Sequence, residues 1–325
     1  MAAAKKPKFG SSTTALEVLK DIDLTGKTIL ITGATTGIGR ETTRALVLKG
    51  AHVVMANRNK QLSEEFRDEL YKEAEHAKID IIQLELSSLQ SIREAANEFL
   101  SNNWPLHVLI LNAGVVWVTS KTTTEGYEST FGINHLGHFY LTYLLLDKLR
   151  ESAPSRLVIV SSKLHANTGI KSNAALPEKL ATLIPPPDTS TFNLGLSLYA
   201  YSKLCNVLFA LKFHRLEHEN GINVYVLHPG VIPGTGLSSR FGILSTIFSY
   251  VAWPFTKSLE QGAATTVYCA ASPYVSNESG NYYADCHESE KDLHTALARD
   301  ESLQDALWEK SVEFIQKFES EKSRR

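Results

Sequence analysis

An apolar, β-rich run from Lys27 to Thr32 leads without a break into Thr32-Gly33-Ala34-Thr35-Thr36-Gly37-Ile38-Gly39, and this junction constrains the chain more than any other feature. Gly33, Gly37 and Gly39 permit a tight turn and a close approach of the backbone to a ligand lying over it. A helical pattern, Ile38 to Lys49, starts inside the turn, and Gly50 is placed to end it. The unpaired amides at the start of such a helix face a pyrophosphate well. A glycine pattern alone is weak. One that follows a strand, opens a helix and lies near the N-terminus has the context of a dinucleotide site. Gly33, Thr35, Thr36, Gly37, Ile38 and Gly39 are therefore candidate cofactor-binding residues.

The rest of the chain repeats the strand-then-helix rhythm that builds a parallel sheet covered by helices. Further strands are expected at His52 to Ala56, Asp80 to Leu86, Leu106 to Asn112, Arg156 to Ser161, Asn223 to His228 and Gly280 to Ala284. Helices are expected at Gln61 to Ala77, after the cap Ser88 with the stripe Ile92, Ala95, Ala96 and Phe99, and at Tyr127 to Leu149, Leu198 to His218 and Leu259 to Ala271. His165 to Leu196, with Pro185-Pro186-Pro187, reads as a long irregular stretch, and long loops tend to carry function. The expected fold is α/β: a single doubly wound domain with a seven-stranded, mainly parallel sheet and helices on both faces. Its limits are set at an arm over residues 1–22, a domain over 23–290 with loops at 163–197 and 231–258, and a helical tail over 291–325. In that tail Leu303, Leu307, Phe314 and Phe318 are apolar points on a charged background.

With 325 residues and 43% hydrophobic composition the chain can bury a large core, and a net charge of −2 gives nucleic acid no hold. Cys205, Cys269 and Cys286 are scattered, which argues for a reducing compartment and against a disulfide framework or zinc site. His135 and His138 lack a third ligand, so no metal is expected. No apolar stretch follows the basic start, so no secretory signal is read. The run Phe241 to Phe255 is shorter than a spanning helix and is interrupted by Pro254. The expected location is cytoplasmic, with peripheral association with an internal membrane as the alternative.

The end of the second strand chooses between cofactors. A carboxylate there takes the adenosine ribose hydroxyls, whereas an Arg takes a 2′-phosphate. The residues are Ala56-Asn57-Arg58-Asn59, with no acid and with Arg58 available, which favours NADP(H).

Taken with this turn, Asn112-Ala113-Gly114, Asn134, Ser161-Ser162, Tyr199-x-x-x-Lys203 and Pro229-Gly230 resemble the short-chain dehydrogenase/reductase family over about residues 25 to 285, within its retinol dehydrogenase-like group. The resemblance implies a Rossmann-type domain and the catalytic set Asn134, Ser162, Tyr199 and Lys203. Tyr199 and Lys203 are four apart and share a helix face. A nearby ammonium is expected to lower a phenol's pKa from its ordinary value near 10. The family then implies that Tyr199 exchanges the proton with the alcohol or carbonyl oxygen and that Lys203 also holds the nicotinamide ribose. Ser162, favoured over Ser161, would hydrogen-bond the oxyanion, and Asn134 would support the Lys through a water-linked path. By the same resemblance Asn112, Ala113, Gly114, Pro229 and Gly230 shape the cofactor pocket. Glu85-Leu86 stand where many relatives place an Asp before the leucine, at the adenine. Thr235 comes late after Pro229-Gly230. Family members pair through the helices carrying Asn134 and Tyr199, so a homodimer is implied unless the tail after Asp292 intervenes.

Apolar residues flank the expected substrate side: Leu194, Leu196, Leu198, Phe241, Ile243, Leu244, Ile247, Phe248, Tyr250, Val251 and Trp253. They fit a lipophilic alcohol or carbonyl, steroid- or retinoid-like, and equally fit core packing. The competing functional reading is a catalytically weak NADP(H)-binding regulator or scaffold. A sugar-nucleotide epimerase ranks behind both, because its glycine spacing differs.

Overall fold

The computed structural model describes residues 7–189, 194–232 and 256–323. The strands are β1 (Thr28–Thr32), β2 (His52–Asn57), β3 (Lys78–Gln83), β4 (Val108–Leu111), β5 (Ser155–Val160), β6 (Ile222–Leu227), β7 (Asn281–Ala284) and β8 (His287–Glu288). They form one sheet in the order β3-β2-β1-β4-β5-β6-β7-β8. Every described pairing is parallel except β7 with β8. The sheet has eight strands rather than seven. The extra two-residue strand follows a turn at Asp285 and Cys286, whose φ angles are +51° and +63°.

Two cores result from the alternation of side chains along each strand. Leu30, Val54, Leu109, Leu157 and Val224 point to one face and Ile29, Val53, Ile110, Val158 and Tyr225 to the other. The second face is covered by α1 (Ala15–Val18), α2 (Gly37–Val47), α3 (Lys60–Glu73) and the helix Leu259–Ala271. The first face carries α4 (Leu89–Ser101), α6 (Gly137–Leu144) and α9 (Gly195–Glu217). Between α4 and α9 come α5 (Ser129–Phe131), α7 (Leu146–Glu151) and α8 (Leu176–Leu183); Leu259–Ala271 is α10, and α11 (Thr295–Ala298) and α12 (Glu301–Ser323) close the chain.

Several boundaries differ from those expected. β3 spans Lys78–Gln83, not Asp80 to Leu86, because it pairs one-to-one with β2 from His52↔Lys78 to Asn57↔Gln83. Leu84 and Leu86 are buried, but in the loop that follows. The helix expected at Tyr127 to Leu149 is broken, with a π turn at Gly132–Leu136 between α5 and α6. The stretch from His165 contains α8, which Pro177 helps to start, and α9 begins at Gly195, a turn earlier than expected.

α12 lies along α9 and α6. Trp308 packs between Phe139 (4.9 Å), Phe209 (6.1 Å) and Phe213 (6.3 Å). Phe318 lies 6.0 Å from Tyr140, and Phe314 4.8 Å from Tyr127. The helices through which the resemblance implies pairing are thus covered by the chain's own C-terminal helix. Among the described residues no helix is long and apolar enough to cross a membrane.

Candidate active site

The sheet order places β2 and β3 on one side of β1, and β4, β5 and β6 on the other. The crevice at the carboxyl end of β1 and β4 is where this topology seats a ligand. Gly33 and Gly37 have φ of +69° and +55°. A Cβ on Gly33 would stand 2.9 Å from the Cα of Ala113, and one on Gly39 would collide with the Gly33 carbonyl oxygen and the Asn112 amide. At the start of α2 the Thr36 side chain makes no cap bond, which leaves first-turn amides for a phosphate. Ile38 packs towards Gly262 on α10, and Thr35 is half-buried in the turn.

Two asparagines hold this turn. Asn112 Nδ2 donates to the carbonyls of Thr32 (2.9 Å) and Gly33 (3.1 Å). Asn57 Oδ1 accepts from the Ala34 amide (2.7 Å), while its Nδ2 donates to Ser63 Oγ (3.0 Å). Asn57 is committed to the turn. Arg58 projects beyond it with its side chain 77% exposed, and its Nε lies 3.7 Å from Glu85 Oε2. Glu85 Oε1 also accepts from the Ser87 amide (3.0 Å), and Leu86 is buried beside it.

Across the crevice, Tyr199 and Lys203 lie one turn apart on α9 and both are buried. Lys203 Nζ donates to the Val160 carbonyl (2.9 Å) and sits 5.4 Å from the centre of the Tyr199 ring. The Ser162 hydroxyl acts on the Tyr199 phenol and favours its charged form. The neighbouring Ser161 points the other way and donates to the Lys203 carbonyl (2.8 Å), pinning α9 to β5. Burial pushes the Tyr199 phenol up to about 12, against the pull of the Ser162 hydroxyl. Burial brings Lys203 down to about 8. Burial, not the expected pull of the ammonium, sets the direction of both shifts: desolvation disfavours the charged form of each group.

Asn134 sits in the π turn. Its Oδ1 accepts from the Val115 amide (2.8 Å), and its Nδ2 donates to the Val115 carbonyl (2.9 Å) and to Ser202 Oγ (2.9 Å). Ser202 in turn donates to the Tyr199 carbonyl (2.8 Å). Gly114 brings these together: a Cβ there would stand 3.3 Å from Lys203 Nζ and 3.5 Å from Asn134 Oδ1. At the end of β6, Pro229 is buried and Gly230 has φ +99°, packed over Lys257, which pairs with Asp285. Thr235 and the apolar set Phe241, Ile243, Leu244, Ile247, Phe248, Tyr250, Val251 and Trp253 lie outside the described residues. The cradle at Gly33 and Gly39, closed to any Cβ, with Gly114 tightly packed against Lys203 and Asn134, fits a nicotinamide dinucleotide.

A sequence model described as short chain dehydrogenase matches residues 27–175. The WW domain-containing oxidoreductase of Danio rerio is 40% identical over 312 residues, 96% of this chain and 74% of the relative. The chain belongs to the short-chain dehydrogenase/reductase family. Retinol dehydrogenase 11 of Homo sapiens is 37% identical over 297 residues, covering 90% of this chain and 87% of that one. A solved structure from Mycobacterium paratuberculosis aligns with a TM-score of 0.65 at 26% identity, over 93% of this chain and 98% of that one.

Several residues of this short-chain dehydrogenase/reductase contribute without having been singled out as site residues from sequence. Thr32 Oγ1 accepts from the amides of Asn112 (3.0 Å) and Ala113 (3.1 Å). Its place as the last strand residue before the glycines was the available signal. Ser202 and Asn57 act through hydrogen bonds that residue type alone does not announce. Trp117, with φ +48°, lays its ring against Gly195 one turn before Tyr199. His135 and His138 are buried and hydrogen-bonded: His135 Nε2 meets Ser311 Oγ at 3.1 Å, and His138 joins Thr32 to Asn134.

Proposed function

We propose that this oxidoreductase interconverts a lipophilic alcohol and its carbonyl, of steroid or retinoid type, using NADP(H). The observation that carries the proposal is the buried Tyr199 phenol with the Lys203 ammonium 5.4 Å from its ring and the Ser162 hydroxyl acting on it, at the sheet edge that also holds the glycine turn. When bound, the dinucleotide gives or accepts the hydride. The protein's part is the proton and the charge. In reduction Tyr199 Oη gives its proton to the carbonyl oxygen, and in oxidation it takes the proton from the alcohol. Ser162 Oγ supports the negative charge on that oxygen. Lys203 brings a positive charge to the same side, and Asn134 holds α9 in place through Ser202.

Arg58, exposed at the tip of β2 with no carboxylate on that tip, supports a 2′-phosphate and hence NADP(H). Gly33, Thr35, Thr36, Gly37, Ile38 and Gly39 would hold the pyrophosphate. Glu85 and Leu86 would line the adenine end, and Asn112, Ala113, Gly114, Pro229 and Gly230 the pocket beyond. Exposed Leu194 and Leu196 precede Tyr199, and exposed Val231 follows Gly230, which supports an apolar substrate mouth. The name of the human relative, retinol dehydrogenase 11, points the same way.

The test is turnover of a panel of lipophilic aldehydes and ketones with NADPH or NADH, by wild type and Tyr199→Phe. Turnover confined to the wild type supports the assignment. Turnover indifferent to the substitution removes Tyr199 from the mechanism. Dinucleotide binding with no turnover of any panel member favours the regulator reading.

A further inference from the structure

We propose that His165 is a positioning residue, clamping the backbone of Ser162, and with it the Ser162–Tyr199 hydroxyl pair, onto the segment that leads into the C-terminal helices. His165 is fully buried. Its Nδ1 lies 2.7 Å from the Ser162 carbonyl oxygen and its Nε2 3.2 Å from the His294 backbone amide. A carbonyl only accepts and a backbone amide only donates. The proton is therefore on Nδ1 and the lone pair on Nε2, and both nitrogens are committed.

The ring also packs on Tyr282 of β7, 5.0 Å between centres at 52°, and Tyr282 stacks on His228 at 6.2 Å. The side chain thus joins the exit of β5 to β7 and to the approach to α11. A second tie runs alongside it: Lys163 Nζ is 3.0 Å from Asp292 Oδ1. Segment 292–294 consequently grips the turn 162–165 at two points. Ser162 starts that turn, with its Oγ accepting from the Leu164 amide at 3.3 Å, so the Ser162 peptide plane and the direction of its hydroxyl are set together. The same carbonyl also accepts from the His165 backbone amide (3.0 Å), so loss of the imidazole donor removes one of its two holds, and the plane and hydroxyl lose their fixed direction. Small misplacements of this kind cost catalysis far more than binding.

The kinetic arm rests on the reading under "Proposed function"; the structural arm does not. His165→Asn keeps a donor near the Nδ1 position and loses the reach to His294. His165→Gln keeps an acceptor near the Nε2 position and loses the Ser162 donor. The expected result is that His165→Gln lowers kcat by about tenfold or more, with KM and the dinucleotide Kd within about twofold, and that His165→Asn restores kcat to within about threefold of wild type. Equal kcat losses in both variants, in step with their loss of Tm, would overturn the proposal. Histidine-selective nitrogen NMR of the wild type supplies the structural arm. The His165 proton is expected on Nδ1, and finding it on Nε2 refutes the clamp even if no substrate is turned over. A protein that shows the Nδ1 proton but turns over nothing keeps the clamp and loses the enzyme assignment instead.

Discussion

The hydroxyl of Thr32 and Nε2 of His138 lie 2.9 Å apart, and this contact joins the first strand to the helix that follows Asn134. Its direction can be deduced. Thr32 Oγ1 already accepts from the Asn112 and Ala113 amides, so its single proton goes to His138. His138 Nδ1–H then donates to the Asn134 carbonyl at 3.1 Å. One buried chain of bonds therefore runs from β4 through Thr32 and His138 to Asn134.

Thr32→Val removes the hydroxyl while keeping the shape, leaving two half-buried amides and a buried imidazole nitrogen without their partner. Each such group costs about 1–3 kcal/mol. Thr32→Val is expected to lower stability by at least about 3 kcal/mol and Thr32→Ser by less than about 1 kcal/mol, read from denaturant unfolding. Equal losses from the two variants would mean that the methyl, not the hydroxyl, matters there.

Gly39→Ala tests the turn. The added carbon would meet the Gly33 carbonyl and the Asn112 amide, both fixed, so the backbone has to move. Overpacking of this kind typically costs about 1–3 kcal/mol. Dinucleotide binding, followed by NADPH fluorescence, is expected to be lost. Unaltered binding would show that the turn is not the phosphate seat.

The glycine turn, the strand and helix alternation and the spacing of Tyr199 to Lys203 were legible because local chemistry dictates them. Three features were not. The π turn at Gly132–Leu136 lies where Asn134, His135, Leu136, His138, Phe139 and Tyr140 are all buried, so no polar face marks the helix's phase. β3 ends at Gln83 because of its register with β2, although buried Leu84 and Leu86 continue its apolar pattern. The pull of Lys203 on Tyr199 was expected from spacing alone, yet burial decides both groups, and burial is a tertiary property.

Acid is expected to weaken the fold from about pH 6.5 downward. Burial pushes His135 and His138 down to about 3 and His165 down to about 4. An unfolded chain takes up these protons as pH falls through 6.5, whereas the folded chain does not until near 3 to 4. Stability is therefore present above that window and lost on descending through it, by about 1.4 kcal/mol per histidine per pH unit at most. His135→Gln, neutral at every pH, is expected to flatten the curve of Tm against pH, and an unchanged slope counts against a neutral buried His135.

Arg58 and Glu85 are expected to act oppositely on cofactor choice. Arg58→Ala removes the cation available to a 2′-phosphate. Charged hydrogen bonds are worth about 1.5–3 kcal/mol, so NADPH affinity is expected to fall by about tenfold or more while NADH affinity holds. Glu85→Gln removes the carboxylate 3.7 Å from that guanidinium and is expected to raise NADPH affinity modestly. Equal losses of NADPH and NADH binding in Arg58→Ala would show that Arg58 does not discriminate between them.

The rate of carbonyl reduction is expected to fall as pH rises through about 8, while alcohol oxidation keeps rising beyond it. In reduction Tyr199 gives up a proton, and with its phenol pushed up to about 12 by burial it carries that proton throughout the working range. The group that changes is Lys203, brought down to about 8 by burial, and its loss of charge removes the cation that favours negative charge on the substrate oxygen and the phenol. Oxidation needs the phenol as a base, and its reactive fraction grows with pH up to its own pKa. Lys203→Arg keeps a charge above pH 8 and is expected to move the alkaline fall of the reductive kcat/KM upward, at a lower overall rate because the fork does not reproduce the single bond to the Val160 carbonyl. Lys203→Met is expected to abolish the alkaline fall along with most of the rate. Profiles of kcat/KM from about pH 6 to about pH 10 in both directions decide the point, since an alkaline limb that stays in Lys203→Met belongs to another group.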